Sequence, residues 1–245
     1  MTESQSSAAT PQPWRPHEFD HRHGDVSGGW LRASTFGAMD GLVSNTALIA
    51  GVGAAAEAHT VVLSGFAGLV AGAFSMALGE FASVNTANEQ IESEVRVERR
   101  AFRMHPQAER AELVDMLVTM GMTQETAAKA TDEIHRDENR ALNFHLSQEL
   151  GVDPQEKPSP WVAAMSSFFT FAIGAITPLI PYLLGFKSLW AGLILGGVGL
   201  MVAGGVASRF TKRPLVWASL RQLAFGGIAI AATYVVGTLV GTVTT

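Results

Sequence analysis

The sequence predicts an all-α membrane protein with five transmembrane helices and a cytoplasmic helical insert between helices 2 and 3. Five apolar stretches each come near the roughly 20 residues that a helix needs to cross the hydrocarbon core. Charged residues make up only 16% of the chain and hydrophobic residues 47%, whereas soluble domains carry about 25% charged residues. Asp and Glu are absent from residue 157 to the C-terminus.

Residues 1–29 form a polar, Pro-rich N-terminal tail that we expect to be flexible. The tail lacks the basic-then-apolar pattern of a signal peptide. Its histidines and acids cluster at His17, Glu18, Asp20, His21 and His23. Weak metal binding by the histidines is one interpretation, and a disordered tail is the favoured one.

Residues 30–87 contain the first two spans, and residues 161–245 contain the other three. The apolar stretches cover Trp30–Ala56, Val61–Ala87, Trp161–Leu184, Leu189–Ser208 and Leu215–Val240. Pro178 and Pro181 predict a kink near the outer end of the third span. Positive residues favour the cytoplasmic side, and most of them lie in the tail, in the insert and between spans 4 and 5. The N-terminus is therefore expected inside and the C-terminus outside.

A net charge of −5 without a basic face argues against nucleic acid as a partner.

The insert, residues 88–160, is predicted to be helical. No Gly or Pro interrupts the run from Asn88 to Met104, so span 2 is expected to continue out of the membrane as one long helix. Pro106 suits the start of the next helix, Thr123 suits the cap of a third, and Gly151 suits the end of a fourth.

Acids in the insert recur at helical spacing. They are Glu94 and Glu98 on the long helix, Glu109 and Glu112 at i and i+3, and Glu149 four residues after His145. Oxygen ligands with imidazole suit Fe²⁺, Mn²⁺ or Zn²⁺. A solvated acidic surface explains the same spacing equally well.

Asp40 and Glu80 are ionisable residues inside spans 1 and 2, where such groups normally face a protein interior or a water-filled path. In an antiparallel pair, each acid is expected about 12 Å from the same membrane face. Met76 lies one turn from Glu80 and adds a soft ligand. Asn45 and Thr46 extend the polar path, although interhelical hydrogen bonds would explain them as well. The alternative for the two acids is a structural hydrogen-bonded role.

Several motifs carry a resemblance to a known family. They are DGLVSN at 40–45, GLVAGAFSMALGEF at 68–81, ERR at 98–100, the Pro106-x-x-Glu109-x-x-Glu112 run and ELG at 149–151. Together they resemble the vacuolar iron transporter family, in its bacterial branch, over essentially everything after Gly29.

The resemblance implies a homodimer with five spans per subunit, in which helix 1 lines the ion path at the interface. It implies a non-enzymatic antiporter of the inner membrane that exports Fe²⁺, and also Mn²⁺, in exchange for protons, with no tightly bound cofactor. Gly37 and Gly41 are expected to permit close approach between the two copies of helix 1. Asp40 and Met76 match the family's ion path, and Glu80 fits the bacterial pattern. The acids that match the family's cytoplasmic metal-binding domain are Glu98, Glu109, Glu112 and Glu149.

The insert departs from the family pattern at two places. Ala101 stands where another Glu is usual, and His145 and Leu146 stand where some relatives have a methionine pair. Glu94 is a candidate to compensate.

Two other functions fit the sequence less well: a metal-responsive scaffold or receptor without transport, and a di-metal carboxylate enzyme. The enzyme would need Glu-x-x-His pairs from two helices, and the nearest candidate is the single pair Asp132 and His135.

Overall fold

The described part of the protein is helical wherever it has regular structure. A computed structural model describes residues 29–149, 151, 157–211 and 213–244, and no strand occurs among them. The helices are α1 (Trp30–Gly53), α2 (Ala58–Met104), α3 (Pro106–Thr119), α4 (Gln124–Ile134), α5 (Glu138–Glu149), α6 (Pro160–Ile176), α7 (Ile180–Leu183), α8 (Leu189–Thr211) and α9 (Leu215–Thr244), with a 3-10 turn at Thr177–Leu179. The predicted all-α class is confirmed. The predicted tail, with its histidines, lies outside the described residues except for Gly29.

Within the part of the chain that the structure describes, four helical segments are long and apolar enough to cross a membrane: Ala58–Met104, Pro160–Leu183, Leu189–Phe210 and Leu215–Gly241. Large apolar side chains such as Leu78 and Trp190 are exposed on these helices, as expected where a surface faces hydrocarbon rather than water. Helix α1 has 24 residues but is not among the four. It carries Arg32, Asp40 and several hydroxyl and amide side chains, which lower its overall apolarity.

Helix α2 is continuous over 47 residues. The sequence from residue 80 to Met104 contains neither Gly nor Pro, so nothing interrupts the backbone hydrogen bonds where the apolar part gives way to the charged part. The helix ends because Pro106 disfavours helical backbone at His105, whose φ and ψ are −137° and 51°. The predicted long helix is therefore confirmed.

The three short helices of the insert have ends that the sequence specifies. Pro106 occupies the first turn of α3, and the Thr123 hydroxyl accepts a hydrogen bond of 3.3 Å from the Thr126 N–H to cap α4. Gly121 adopts a positive φ of 102° where the chain reverses. Leu113 and Leu117 of α3 are among the buried residues that pack α3 against α4, with Phe144 of α5 alongside. The predicted helix starts at Pro106 and after Thr123 are confirmed.

Helix α1 lies among the apolar helices and packs against α2, α6, α8 and α9. Its closest contact is with α6, and glycines permit it. A methyl group on Gly37 would lie 2.6 Å from the Thr170 hydroxyl, and one on Gly41 would collide with the Phe171 carbonyl. On the other side, Gly174 of α6 meets the Ala38 carbonyl. The expectation that Gly37 and Gly41 join two copies of helix 1 is wrong, because both glycines are used against α6 of the same chain.

The segment after α6 is kinked as predicted. The α-helix changes pitch at Thr177–Leu179, and Pro178 and Pro181 cannot donate the hydrogen bonds that would continue it. Next to this break, the Ala175 carbonyl accepts a hydrogen bond from the Asn45 side chain of α1.

Candidate metal sites

The insert brings one ligand from each of three helices to a single point. Glu98 comes from α2, Glu109 from the first turn of α3, and His145 from α5. One ligand atom from each lies within 4.8 Å of the other two. The His145 Nδ1 atom is 3.3 Å from a Glu98 oxygen and 3.7 Å from a Glu109 oxygen. Two carboxylates and an imidazole at this spacing could hold a divalent transition metal.

The cluster is buried, and several of its polar atoms have no partner. The His145 side chain is fully buried, and the Glu98 and Glu109 side chains are only 15% and 9% exposed. The Glu98 Oε1 atom and both ring nitrogens of His145 make no hydrogen bond in the part of the chain that the structure describes. Unpaired buried polar atoms are costly, and a bound cation would satisfy them together.

Burial and the neighbouring acids make Glu98 hold its proton more tightly than an ordinary glutamate, and burial keeps His145 uncharged. Burial, and then the nearby charges of Glu109, Glu149 and Glu112, raise the pKa of Glu98 to about 7. Burial, followed by the proximity of His135, lowers the pKa of His145 to about 4. Although its distances to Glu98 and Glu109 resemble those of ion pairs, His145 is therefore neutral at pH 7 and offers a lone pair.

The remaining acids predicted for the insert lie around this cluster. Burial and the charges of Glu112, Glu109 and Glu94 raise the pKa of Glu149, which places Glu149 within interaction range of the other three acids. Glu112 and Glu149 are exposed, and Glu94 is half-buried. The structure thus gathers all six insert residues named from the sequence, three at its centre and three at its margin.

The pair that a di-metal enzyme would need is not arranged as a metal site. The Asp132 carboxylate accepts a hydrogen bond of 2.7 Å from the Arg110 guanidinium. The His135 Nδ1 atom lies 3.0 Å from the Thr131 carbonyl oxygen.

A second polar site lies among the membrane helices. A cavity of about 230 Å³ between α1 and α2 is lined by Asp40, Asn45 and Met76, with Ser44 and Ser75 beside them. The cavity therefore offers a carboxylate, an amide oxygen, hydroxyls and a thioether in one place. Phe171 of α6 closes one wall.

Asn45 has a fixed orientation in this cavity. Its Nδ2 group donates a hydrogen bond of 2.5 Å to the Ala175 carbonyl beside the kink after α6. Its Oδ1 atom is buried and makes no hydrogen bond to any described residue. The amide thus keeps its oxygen free as a ligand. Thr46 is different: it does not line the cavity, its hydroxyl donates to the Leu42 carbonyl, and it packs against Gly196 of α8.

Glu80 does not line this cavity. Its carboxylate is 9% exposed and accepts a hydrogen bond of 2.9 Å from Arg32, two turns before Asp40. A methyl group on Gly68 would meet the Asn45 side-chain oxygen at 3.3 Å, so Gly68 of α2 lies level with Asn45 of α1. Because the two helices are antiparallel, Asp40, five residues before Asn45, then lies level with residues near 74 of α2. Glu80 is thus about 9 Å closer to the insert. The prediction of equal depth is wrong, because apolar borders do not fix the register between helices.

Sequence reasoning missed Arg32, Ser44 and Ser75 as neighbours of these sites. Ser44 lies one turn after Asp40, so helical spacing from the acid could have identified it, whereas Ser75 immediately precedes Met76 and such spacing does not place adjacent residues on one face. Arg32 pairs with Glu80 of the neighbouring helix, and no spacing along the chain indicates that pair.

Fold and sites together define a multi-pass membrane protein with a polar cavity between its helices and an acidic, imidazole-containing cluster outside them. The model of the VIT family matches residues 31–238, and the chain belongs to that family. It is 30% identical over 227 residues to "Vacuolar iron transporter 1" of Oryza sativa subsp. japonica, covering 89% of this chain and 88% of the relative. It is 33% identical over 217 residues to "Vacuolar iron transporter homolog 3" of Arabidopsis thaliana, covering 86% and 84%. A "Vacuolar iron transporter" of Acanthamoeba castellanii is 30% identical, covering 86% of this chain and 78% of the relative.

These comparisons confirm the predicted family. The relatives carry the names of transporters, which agrees with the prediction that the chain is not an enzyme. Assignment to the bacterial branch stays a prediction.

Proposed function

We propose that the protein exports Fe²⁺, and also Mn²⁺, from the cytoplasm across the inner membrane in exchange for protons. One observation carries the proposal: a single unbroken helix bears ligands of both sites. At 3.6 residues per turn, Met76, Glu80, Glu94 and Glu98 fall within an arc of roughly 40° on α2. Met76 and Glu98 are about 33 Å apart along this face. Metal captured by the insert would follow one helix face to the cavity.

Five spans per subunit follow if α1 also crosses the membrane. Its 24 residues measure about 36 Å, which exceeds the roughly 30 Å of the hydrocarbon core. Its polar side chains fit this role because neighbouring helices cover α1 and because Asp40 and Asn45 face the cavity. With five spans and the N-terminus inside, residues 88–160 form a cytoplasmic metal-binding domain. Lys187 then lies on the outer side, and the C-terminus is outside.

A homodimer through α1 would complete the cavity. Arg32, Phe36, Asp40, Ser44 and Leu48 recur every four residues along one face of α1, and none of the five is buried. Phe36 is 56% exposed, and the cavity beside Asp40 opens at this face. A second copy of α1 placed here would close the cavity and bring two Asp40 side chains towards each other.

Proton exchange would take place at these acids. Two neighbouring carboxylates in a low-dielectric setting do not both ionise readily, and an arriving divalent cation displaces the proton that they hold in common. Glu80 would stand nearer the cytoplasm as an intermediate site, where the metal competes with Arg32. Met76 would favour Fe²⁺ over Mg²⁺ or Ca²⁺, which prefer oxygen shells.

The test is Fe²⁺ flux into liposomes that contain the full-length protein with its insert facing outward. Asp40→Asn removes the charge that the cation needs, so flux should fall to that of protein-free liposomes. Asp132→Asn is the matched control, because it makes the same substitution outside both sites, and it should keep wild-type flux.

An acidic lumen should accelerate wild-type uptake, with proton efflux reported by a pH-sensitive dye. Uptake that ignores the gradient would refute antiport, and full flux in Asp40→Asn would refute the path. A scaffold or receptor would bind Fe²⁺ without any flux.

A further inference from the structure

Two apolar grooves lie side by side on the surface of the membrane helices, and neither candidate metal site uses them. The first has a volume of about 550 Å³ and lies between α1, α6 and α8. The second has a volume of about 640 Å³ and lies between α8 and α9. Val202, Val206 and Phe210 of α8 line both grooves, and each is more than half exposed. Because they recur every four residues, they form one ridge along α8 with a groove on each side.

The length and the lining of the grooves suit acyl chains. Along α8 the first groove extends from Leu195 to Phe210 and the second from Met201 to Phe210, which are distances of about 22 Å and about 14 Å. One leaflet of the hydrocarbon core is about 15 Å thick. The hydroxyls of Thr170 and Ser219 line the grooves, but both donate hydrogen bonds to backbone carbonyls of the protein. Each groove therefore presents a mainly apolar surface over about the depth of one leaflet.

The grooves reach the membrane face on which the insert lies. Helices α1 and α8 are antiparallel, so the start of α1 and the end of α8 lie at the same end of the first groove. A methyl group on Gly29, just before α1, would lie 3.9 Å from Pro158 near the end of the insert. Trp30 lines this end of the groove, and tryptophan favours the boundary between lipid and water. A lipid in the grooves would therefore belong to the leaflet on the insert side.

Positive charge is concentrated at this end of the grooves. Arg209 lines the second groove, and Arg213 is exposed between α8 and α9. Within the described part of the chain, neither arginine forms an ion pair or a hydrogen bond. Asp and Glu are absent from residue 157 onward. Because a guanidinium binds a phosphate through paired N–H donors, these two arginines favour an anionic head group.

A second copy of the chain suits the grooves less well than a lipid does. At about 100° per residue, Leu31, Thr35 and Leu42 of the first groove lie roughly opposite Asp40 on α1, so the dimer proposed above leaves the groove uncovered. Two copies that met groove to groove would bring Arg209 of each towards the other, without an acid on α8 or α9 to separate them.

We infer that the two grooves bind the two acyl chains of one anionic phospholipid from the insert-side leaflet. The chains lie astride the ridge of Val202, Val206 and Phe210, and the phosphate contacts Arg209 and Arg213. Basic pockets between membrane helices are a known means of recognising anionic lipid head groups. The inference goes beyond the proposed transport function, since it concerns a site away from both metal sites and holds whichever metal the protein carries.

The test uses the full-length, metal-free protein in detergent and phosphatidylglycerol with a photoactivatable group in each acyl chain. After irradiation, mass spectrometry of peptides should find the label at both grooves, and phosphatidylcholine with the same chains should label them more weakly. Arg209→Gln combined with Arg213→Gln should weaken phosphatidylglycerol binding about 20- to 30-fold, because each arginine near the membrane surface contributes about fivefold. Lys187→Gln removes an exposed cation between α7 and α8, at the other end of α8, and as the control it should bind as wild type.

A substitution in one groove tests whether a single lipid occupies both. A methyl group on Gly205 would lie 3.5 Å from the Ser219 hydroxyl, in ordinary contact, so Gly205→Leu is compatible with the packing and fills the second groove. Labelling should then fall in both grooves, because both chains belong to one molecule. Loss from the second groove alone would indicate two independent lipids and would overturn the inference. Equal labelling of the wild-type protein by the two lipids, or unchanged binding in the double arginine variant, would also overturn it, because either result would indicate ordinary boundary lipid.

Discussion

Metal binding by the insert should strengthen sharply with pH across neutrality, because Glu98 must lose a proton before it can act as a ligand. The pKa of Glu98 is raised to about 7, first by burial and then by the charges of Glu109, Glu149 and Glu112. A cation binds the ionised carboxylate, so affinity is gained as pH rises through this pKa and lost below it.

The size of the effect follows from the same value. The ionised fraction of a carboxyl with a pKa of about 7 rises from about one tenth at pH 6 to about nine tenths at pH 8. Apparent affinity should therefore rise about tenfold over this interval. His145, whose pKa is about 4, remains neutral throughout and adds no further pH dependence.

The assay is Co²⁺ titration of the full-length protein at several pH values between about 6 and 8, in an Asp40→Asn background that silences the cavity. Glu98→Gln should bind more weakly and lose the tenfold change. Glu112→Gln should shift the midpoint to lower pH, because it removes one of the charges that raise the Glu98 pKa. A wild-type affinity that is flat with pH, or a Glu98→Gln variant that keeps the tenfold change, would refute this reasoning.

Two further predictions concern the membrane helices. Arg32→Gln should lower the free energy of unfolding by about 1–3 kcal/mol, because it leaves Glu80 buried without its cation. Adding Glu80→Gln should recover part of that loss in thermal unfolding, and no recovery would mean that the pair is not coupled. Ser44→Cys should form an oxidative crosslink between subunits in a chain with no native cysteine. Crosslinks confined to cysteines on α8 or α9 would place the dimer interface elsewhere.

Local signals in the sequence predicted most of the helices correctly. Pro106, Thr123 and the unbroken run to Met104 act within a few residues of their own positions, so the chain itself determines where these helices start or continue. The kink at Pro178 is likewise determined by a residue at the position where it occurs.

Partners between helices were harder to predict, because a stripe of small residues shows that something approaches closely but not which helix it is. As a sequence pattern, Gly41 is as compatible with contact to a second copy of α1 as with contact to α6. Only the packed structure shows that the contact is with α6. Glu80 was placed beside Asp40 for a similar reason, since depth counted from apolar borders carries an error of several residues. The sequence marks His135 only as a partner of Asp132 and not as a neighbour of His145, because its spacing from His145 is not helical and a fold of the chain brings the two rings together.

The reciprocal glycine contacts between α1 and α6 also limit how the protein can move. Gly41 touches the Phe171 carbonyl while Gly174 touches the Ala38 carbonyl, so backbone lies against backbone in both directions. Sliding or rotating either helix would drive a side chain into a carbonyl, since packed interfaces have discrete arrangements rather than continuous ones. A transport cycle that exposes Asp40 alternately to the two sides must therefore carry α1 and α6 as one rigid body. The opening and closing would then occur where this pair meets a neighbour that moves against it, such as α2 across the cavity or a second subunit if the proposed dimer forms.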